Sequence, residues 1–426
     1  MRKIKMDELE PEFFDGPDFE YLPDVQKIIS EVRKKKDDAL KQFTLKFDRV
    51  KVHRFRVEND EMNAAYRSVG KDLIADIQKS AENLKKFSKR QLESFKDFEL
   101  EIEPGVFLGQ KLIPIERVGI YVPGGRYPLI SSLLMGAVPA KAAGVEEIVV
   151  CSPPCFGGSI HPGILAAADM CGVNEVYKVG GVQAVAAMAF GTQSIKRVDK
   201  VVGPGNRYVN AAKKIVYGQV GIDFVAGATE TLIIADKEAN PSFIAADLIA
   251  QAEHDADAKP EMVTDSNELA VEVLEQIKKA LGHLATAEIA HQSLAKNGLI
   301  LIVDNLDEAV AFANRRAPEH LQLCLKNPEF FLPRLKNYGS LFIGEYSAEV
   351  LGDYSSGLNH ILPTDFAPRY TGGLSVRDFI KIQSSLRTNK EGFLKIAPVA
   401  RSMAEAEGLE GHVNSVAVRM KAAKIE

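Results

Sequence analysis

Two pairs of polar residues have types and spacings that could do acid–base or metal chemistry. Gln251 and His254, in the stretch AQAEH, end an Ala-rich helical run, and their spacing of three puts them on one helix face. Glu319 and His320 are adjacent in RRAPEHLQL at a predicted strand start, and a carboxylate and an imidazole can both move protons near neutral pH. A surface helix and an ordinary polar loop could carry the same residues without any chemistry.

A wider set of side chains could hold a divalent metal ion. One amide oxygen, two imidazoles and one carboxylate suit zinc or a similar ion. The chain offers these donors in Gln251, His254, Asp353 and His412. The four residues are far apart in sequence and glutamine is an unusual ligand, so spacing alone is weak support for a metal site.

Composition limits the classes of partner. The chain has 426 residues, 46% hydrophobic and 26% charged, which is ordinary for a globular protein of two or three domains. Its net charge of −5 offers no basic excess, so we expect neither a nucleic acid nor a membrane as partner. The N-terminal stretch lacks the apolar core of a signal peptide, and no apolar run could cross a membrane. We therefore expect a cytoplasmic protein whose four cysteines are free thiols.

The pattern of apolar residues predicts the elements that position these side chains. Residues 22–45 and 59–96 have the periodicity of amphipathic helices. From about residue 116, short apolar runs alternate with Ala-rich helical segments, and a second such series begins near 230. Each series predicts a doubly wound parallel sheet, hence an α/β fold. Beyond about 365 the pattern predicts loops, a helix near 375–388 and a charged tail.

Three glycine-containing loops follow strands of the first series. They are YVPGGRYP (121–128), VGGVQA (179–184) and VGPGNRY (202–208). Parallel sheets bind ligands beyond the carboxyl ends of their strands, where glycine lets the backbone approach an anion. The dinucleotide fingerprint G-x-G-x-x-G follows no predicted strand, so these loops could equally be tight turns.

Taken together, the motifs resemble the histidinol dehydrogenase family over nearly the whole chain. The resemblance rests on ERVGIYVPGG, VGGVQAVAAMAFGT, VDKVVGPGN, DLIAQAEH, APEHLQL, GDYSSGLNHILPT and EGLEGHVNSVAVR, in the family's order. It implies a zinc-dependent, NAD-linked enzyme that oxidises L-histidinol twice, through L-histidinal, to L-histidine in histidine biosynthesis.

The resemblance also implies a role for individual residues. His320 would take the alcohol proton, and Glu319 would activate water for the aldehyde step. The zinc ligands would be Gln251, His254, Asp353 and His412, and the NAD contacts Tyr121, Gln183 and Asn206. The substrate would meet His320, the zinc ligands and three further residues, Thr229, His360 and Glu407.

The same resemblance implies how the chain is divided and assembled. N-terminal helices and the start of one Rossmann-like unit would occupy 1–120, and a second unit, 121–229, would be nested in the first. The first unit would continue over 230–365. A tail over 366–426 would complete the active site of the partner in a homodimer.

Two departures from the family's sequence pattern leave other functions open. The family usually has Pro-Ser-Glu where this chain has Ala228, Thr229 and Glu230, so a methyl group is added at a substrate-contacting position. GGRYPLISS and APRYTGGLSV look more like paralogues that oxidise small diols such as 2,3-dihydroxypropane-1-sulfonate, whose anion Arg126 or Arg369 could bind. A non-catalytic binding protein would be expected to have lost a ligand or a base, yet every one of those positions is filled.

Overall fold

The computed structural model describes residues 1–15, 22–125, 127–155 and 157–424. The strands in these residues are β1 (Arg2–Lys5), β2 (Phe98–Glu103), β3 (Val106–Pro114), β4 (Arg117–Tyr121), β5 (Glu147–Ser152), β6 (Glu175–Lys178), β7 (Lys200–Val202), β8 (Gly221–Ile222), β9 (Glu230–Ala235), β10 (Lys259–Thr264), β11 (Leu299–Ile302), β12 (His320–Cys324), β13 (Ser340–Ile343) and β14 (Ile380–Thr388). The helices are α1 (Pro23–Lys35), α2 (Asp37–Phe47), α3 (Asn59–Ser68), α4 (Lys71–Leu92), α5 (Ile130–Ala143), α6 (Pro162–Met170), α7 (Gly181–Phe190), α8 (Arg207–Val216), α9 (Pro241–Ala252), α10 (Asn267–Leu281), α11 (Ala287–Lys296), α12 (Leu306–Arg316), α13 (Glu349–Tyr354), α14 (Lys390–Ala406) and α15 (Glu410–Lys424).

Five parallel strands form the first sheet, in the order β6-β5-β4-β7-β8. Alternate residues of β5 enter different hydrophobic clusters, with Ile148 and Val150 on one face and Val149 and Cys151 on the other. Both faces are therefore buried, which explains the apolar strands of the first series. The chain runs from β4 to β5 on one side and returns to β7 on the other, so β4 and β7 flank a topological switch point.

Six parallel strands form the second sheet, in the order β1-β11-β10-β9-β12-β13. Successive residues again face opposite clusters, as Ile233 and Ile234 do in β9. Strand β1 comes from the N-terminus and the others follow β8, so the first sheet is inserted within the sequence of the second. The predicted α/β fold of two nested parallel-sheet units is thus confirmed, although nothing in the charged sequence RKIK indicates a strand.

Helices α1 to α4 form the N-terminal extension. The predicted segment 22–45 is two helices, because Lys36 adopts a positive φ of 55° between α1 and α2. The Nζ atom of Lys36 donates to Phe190 O and Gly191 O, which tethers this junction to the end of α7. Helix α4 packs on α5, and Leu84 of α4 belongs to a core cluster of the first sheet.

The prediction of a helix near 375–388 is wrong. The residues form a short 3₁₀ turn, Val376–Phe379, and then strand β14. β14 pairs with β3 along its whole length, from Ile380 opposite Pro114 to Thr388 opposite Val106, and β2 pairs with the other edge of β3. Pairing with a strand so distant in sequence overrides the local helical pattern, and the result is a third, antiparallel sheet.

The charged tail predicted beyond this strand is helical. Helices α14 and α15 pack against each other, and α14 contacts β14. No helix in the described ranges is both long and apolar enough to span a bilayer. None of the four cysteines forms a disulfide within the described residues.

Candidate active site

Glu319 and His320 lie at the amino end of β12, where the second sheet has its own switch point between β9 and β12. The sequence produces this placement locally. Asn305 caps the start of α12 by accepting from Glu308 N at 3.0 Å, and Ala317, with φ 49°, ends the helix immediately before Pro318. The strand starts two residues later, and both side chains are buried, at 6% and 4% exposure.

Glu319 is held by the residues that lead into β9. Its Oε2 accepts from Thr229 Oγ1 at 2.7 Å and from Glu230 N at 2.9 Å. Burial raises the pKa of Glu319 well above its ordinary value, and the hydrogen bonds from Thr229 and Glu230 offset part of that rise. A carboxylate with a raised pKa is a stronger base once it is ionised.

His320 presents one ring nitrogen to the backbone and the other to the site. Nδ1 lies 3.1 Å from the carbonyl oxygen of Glu230, which can only accept, so Nδ1 carries the proton of the neutral ring. Nε2 is buried and has no hydrogen-bond partner in the described chain. Burial lowers the pKa of His320, and Asp353 and Glu230 oppose that shift. The result is a neutral imidazole with a free lone pair at Nε2.

Gln251 and His254 approach the same place from the C-terminal end of α9. Because α9 runs back against the strands, its last turn returns to the amino edge of the second sheet. The Gln251 amide is 1% exposed; its Nε2 donates to Thr229 Oγ1 at 2.8 Å, and the Thr229 hydroxyl in turn donates to Glu319. Desolvation by the surrounding protein, and then the charge of His320, lower the pKa of His254.

Asp353 and His360 complete this cluster from α13 and the segment after it. Asp353 Oδ1 lies 3.7 Å from His360 Nδ1. Burial raises the pKa of Asp353 to about 6, and burial followed by the charges of His320 and His254 lowers that of His360 to about 4. The charge of His320 thus contributes to the pKa shift of each of the residues His254, Asp353 and His360.

One contact joins this cluster to the first sheet. His360 Nε2 lies 3.3 Å from Oγ of Ser132, in the first turn of α5. Because α5 follows β4, its first turn lies at the carboxyl edge of the first sheet. That edge therefore reaches the cluster at the amino edge of the second sheet.

The tail residues Glu407 and His412 are not part of the cluster within one chain. Both are exposed, and neither side chain bonds to a residue of the site in the described chain. Accordingly, no group of three or more His, Cys, Asp or Glu residues in the described ranges is arranged to hold a metal ion. Of the predicted ligands, His254 and Asp353 thus lie within electrostatic reach of His320 in one chain, whereas His412 is exposed.

Tyr121, Gln183 and Asn206 lie at the carboxyl edge of the first sheet. Tyr121 ends β4, and its Oη accepts from Gly181 N at 3.1 Å at the start of α7. Gln183, in the first turn of α7, is 1% exposed, and its Oε1 has no partner among the described residues. Asn206 caps α8 by accepting from Tyr208 N at 3.1 Å. Two helix N-termini and an unsatisfied buried amide oxygen therefore meet beside the switch point.

Glu349 is a site residue that sequence reasoning missed. Its Oε1 lies 3.5 Å from His320 Nδ1, its Oε2 is buried without a partner in the described chain, and burial raises its pKa to about 8. The sequence did contain a signal, because Glu349 precedes Asp353 by four residues and thus shares its helix face.

A buried ion-pair network supports Glu230 and was also missed. Arg316 binds the carboxylates of Glu230 and Glu261, and Lys259 binds Asp365 at 2.6 Å beside them. The network fixes the start of β9, which holds both Glu319 and His320. The sequence gives no signal for these pairs, since they join strands far apart in the chain.

Of the two arginines proposed for an anionic substrate, Arg369 lies among the described residues. Arg369 donates to the backbone carbonyl of Arg315 and lies 5.0 Å from the Phe366 ring centroid. Arg126 lies outside the described residues.

Comparison with known proteins identifies the family. The family model described as histidinol dehydrogenase matches residues 17–420. The histidinol dehydrogenases of Methanothermobacter thermautotrophicus and Methanocaldococcus jannaschii are each 46% identical to the chain, over 94% of its length and 93% of theirs. The crystal structure of histidinol dehydrogenase from Elizabethkingia anophelis matches with a TM-score of 0.93 and 38% identity, covering 100% of this chain and 99% of that one. The chain therefore belongs to the histidinol dehydrogenase family, oxidoreductases that act on CH–OH groups.

Proposed function

We propose that the chain oxidises L-histidinol to L-histidine through L-histidinal in histidine biosynthesis, using NAD and one zinc ion per subunit. The observation that carries the proposal is His320, buried beside Glu319 with Nδ1 on a backbone carbonyl and Nε2 unpartnered in the described chain. Nε2 of His320 can therefore act as a base towards a bound substrate. The side chains around it are carboxylates and the residues predicted to bind the metal.

The donor set fits zinc. Gln251, His254 and Asp353 offer oxygen and nitrogen donors of the kind zinc binds, and two of them belong to the cluster of mutually interacting groups around His320. A fourth ligand, His412, would come from a second copy of the chain. The neutral Gln251 would leave more Lewis acidity on the ion than a second carboxylate would.

The carboxyl edge of the first sheet fits NAD. Tyr121 and Asn206 flank the switch point, and the buried Oε1 of Gln183 lacks a partner within the described residues. The N-termini of α7 and α8 offer backbone N–H groups to the pyrophosphate without the usual glycine fingerprint.

The chain's own residues divide the proton transfers between two steps. When bound, zinc supplies a Lewis acid for the alcohol oxygen and NAD supplies the hydride acceptor. In the first step Nε2 of His320 takes the hydroxyl proton as the hydride leaves the adjacent carbon, which gives the aldehyde. In the second step Glu319 takes a proton from the water that adds to the aldehyde, loss of a second hydride to a second NAD gives the carboxylic acid, and that acid releases its proton to leave the carboxylate.

Three residues would hold the substrate. Thr229 lies beside Glu319, and His360 lies beside Asp353. Glu407 of a second copy would accept a charge-assisted hydrogen bond from the imidazole of L-histidinol. The methyl group that Thr229 adds reduces the space left for the substrate at this position. The hydroxyl of Thr229 already donates a hydrogen bond to Glu319.

A homodimer with shared active sites is part of the proposal. Leu100, Leu108 and Leu386 lie opposite one another across β2, β3 and β14, and they are 56%, 39% and 62% exposed. Val399 and Met403, one turn apart on α14, are 62% and 60% exposed. Apolar side chains exposed in a row favour burial against another chain. A second copy packed there could bring its tail to this chain's cluster.

Turnover with two substrates tests the proposal. With L-histidinol and zinc-loaded protein we expect two NADH formed per molecule consumed, and no NADH with 2,3-dihydroxypropane-1-sulfonate. The reverse preference would establish the diol alternative, which the relatives do not support. Removal of zinc by a chelator should abolish turnover, and zinc should restore it. Location in the cytoplasm stays a prediction.

A further inference from the structure

The most deeply buried ion pair near the proposed NAD cleft joins Lys213 of α8 to Asp223, which follows β8. Lys213 Nζ and Asp223 Oδ1 are 2.5 Å apart, and the two side chains are 1% and 0% exposed. Neither residue has a place in the chemistry proposed above. Burying two charges costs several kcal/mol per ion in desolvation, so such a pair is weak support for a stabilising role.

Both partners of the pair bind the same glycine. Lys213 Nζ donates to Gly203 O at 2.9 Å, and Asp223 Oδ2 accepts from Gly203 N at 2.9 Å. Asp223 Oδ1 also accepts from Phe224 N at 2.8 Å. Both polar backbone atoms of Gly203 are thus fixed by one charged pair.

Gly203 packs closely against the end of β4. It adopts φ 118°, which favours glycine, and a Cβ atom at this position would lie 2.2 Å from the carbonyl oxygen of Tyr121. Its peptide therefore packs directly on the end of β4. Gly203 also begins the turn that leads to Asn206, the cap of α8.

We propose that Lys213 and Asp223 are positioning residues for the dinucleotide. They hold the turn 203–206 against Tyr121, so that Asn206 and the N-terminus of α8 are in place before NAD binds. Preorganisation of this kind lowers the ordering cost of binding. The inference rests on the proposed use of NAD, and it assigns the pair to binding of the dinucleotide and not to hydride or proton transfer.

Lys213→Met tests this assignment, because it keeps the length of the side chain and removes the charge and the donor. We expect the dissociation constant of NAD, measured by calorimetry, to rise about tenfold or more. The KM for L-histidinol should change less than about twofold, because none of the residues proposed to hold the substrate belongs to the turn. Hydrogen exchange at residues 203–206 should quicken in the protein without NAD.

Arg117→Met is the matched control. Arg117 is a buried, ion-paired residue at the amino end of β4, bound to Glu147 and Glu175. It belongs to the same sheet but lies at the edge opposite the cleft. The control should weaken the sheet and leave both NAD affinity and exchange at 203–206 near the wild-type values.

The proposal is overturned if Lys213→Met binds NAD like the wild type, or if Arg117→Met loses as much affinity. If Lys213→Met does not fold, Asp223→Asn decides by the same criteria, since it removes the charge and keeps one acceptor for Gly203 N. If the wild-type chain itself fails to bind NAD, the proposed function fails instead. Hydrogen exchange at residues 203–206 then still shows whether the ion pair of Lys213 and Asp223 holds this turn in place.

Discussion

The imidazole of His320 is locked to the backbone of Glu230, with Nδ1 3.1 Å from the carbonyl oxygen. Glu230 begins β9 and His320 begins β12, and the register places His320 opposite Thr231, one residue beyond Glu230, so the sheet itself sets the tautomer of the ring. The free Nε2 is then a proton acceptor whose direction is fixed by main-chain geometry.

Replacement of His320 should affect the alcohol step most. His320→Ala removes the acceptor at Nε2, and we expect kcat for L-histidinol to fall about 10²- to 10⁴-fold. Oxidation of added L-histidinal should fall much less, because Glu319 handles the water proton. Gln322→Leu, a buried change two residues along β12, serves as the control for general damage. Equal losses for the alcohol and the aldehyde would contradict the assignment.

Replacement of Glu319 should have the opposite pattern. Glu319→Gln keeps the shape and the hydrogen bond from Glu230 N but cannot take a proton from water. We expect oxidation of L-histidinal to fall about 10²- to 10⁴-fold, while a first NADH is still formed from L-histidinol in a single turnover. Rapid-mixing absorbance of NADH measures both. Absence of that first NADH would mean that Glu319 acts in the alcohol step as well.

The pH dependence of the aldehyde step should follow Glu319. Its carboxylate must be ionised to act as a base, so activity should rise with pH through the raised pKa of Glu319. Thr229→Val removes a hydrogen bond that lowers this pKa, and the rising limb should therefore move to higher pH. Thr229→Ser keeps the hydroxyl and should leave the limb in place. A limb that moves equally in both variants would contradict the role of the Thr229 hydroxyl, because Thr229→Ser retains it.

Sequence motifs predicted many of the candidate site residues. They did not predict that Glu319 and His320 lie at the amino edge of a parallel sheet. The motifs around His320, Asp353 and Tyr121 indicate chemistry at these residues. Parallel sheets usually bind ligands at carboxyl ends, whereas Glu319 and His320 lie at an amino end. Only packing between the two units, seen in the contact of Ser132 with His360, brings the edges together.

Other features depended on contacts between distant parts of the chain. Strand β14 was not predictable, because its partner β3 lies far away in sequence and its local pattern resembles a helix. Glu349 was overlooked because it stands alone in an otherwise ordinary segment, although its spacing from Asp353 was informative. The charges that hold Gly203 and Glu230 are likewise paired only in the folded chain.

Asp48 predicts a pH-dependent stability. Its Oδ2 is buried without a partner in the described chain, and burial raises the pKa of Asp48 from 3.8 to about 6. The folded chain thus binds this proton more tightly than the unfolded chain. The contribution of the protonated Asp48 carboxyl to the free energy of unfolding is therefore complete below the unfolded pKa and is lost as pH rises through about 6. Asp48→Asn should raise the urea midpoint at pH 7.5 more than at pH 5. An equal gain at both would exclude titration of Asp48 as the cause.

The central claim is that His412 of one chain completes the cluster around His320 of another. A heterodimer of Glu319→Gln and His412→Ala chains, purified with two different tags, tests it most directly. Each parent homodimer should be inactive in the steady-state formation of L-histidine. In the heterodimer one site combines the unaltered Glu319 with an unaltered His412, so we predict about half the wild-type rate per dimer. A heterodimer as inactive as its parents would contradict the shared site.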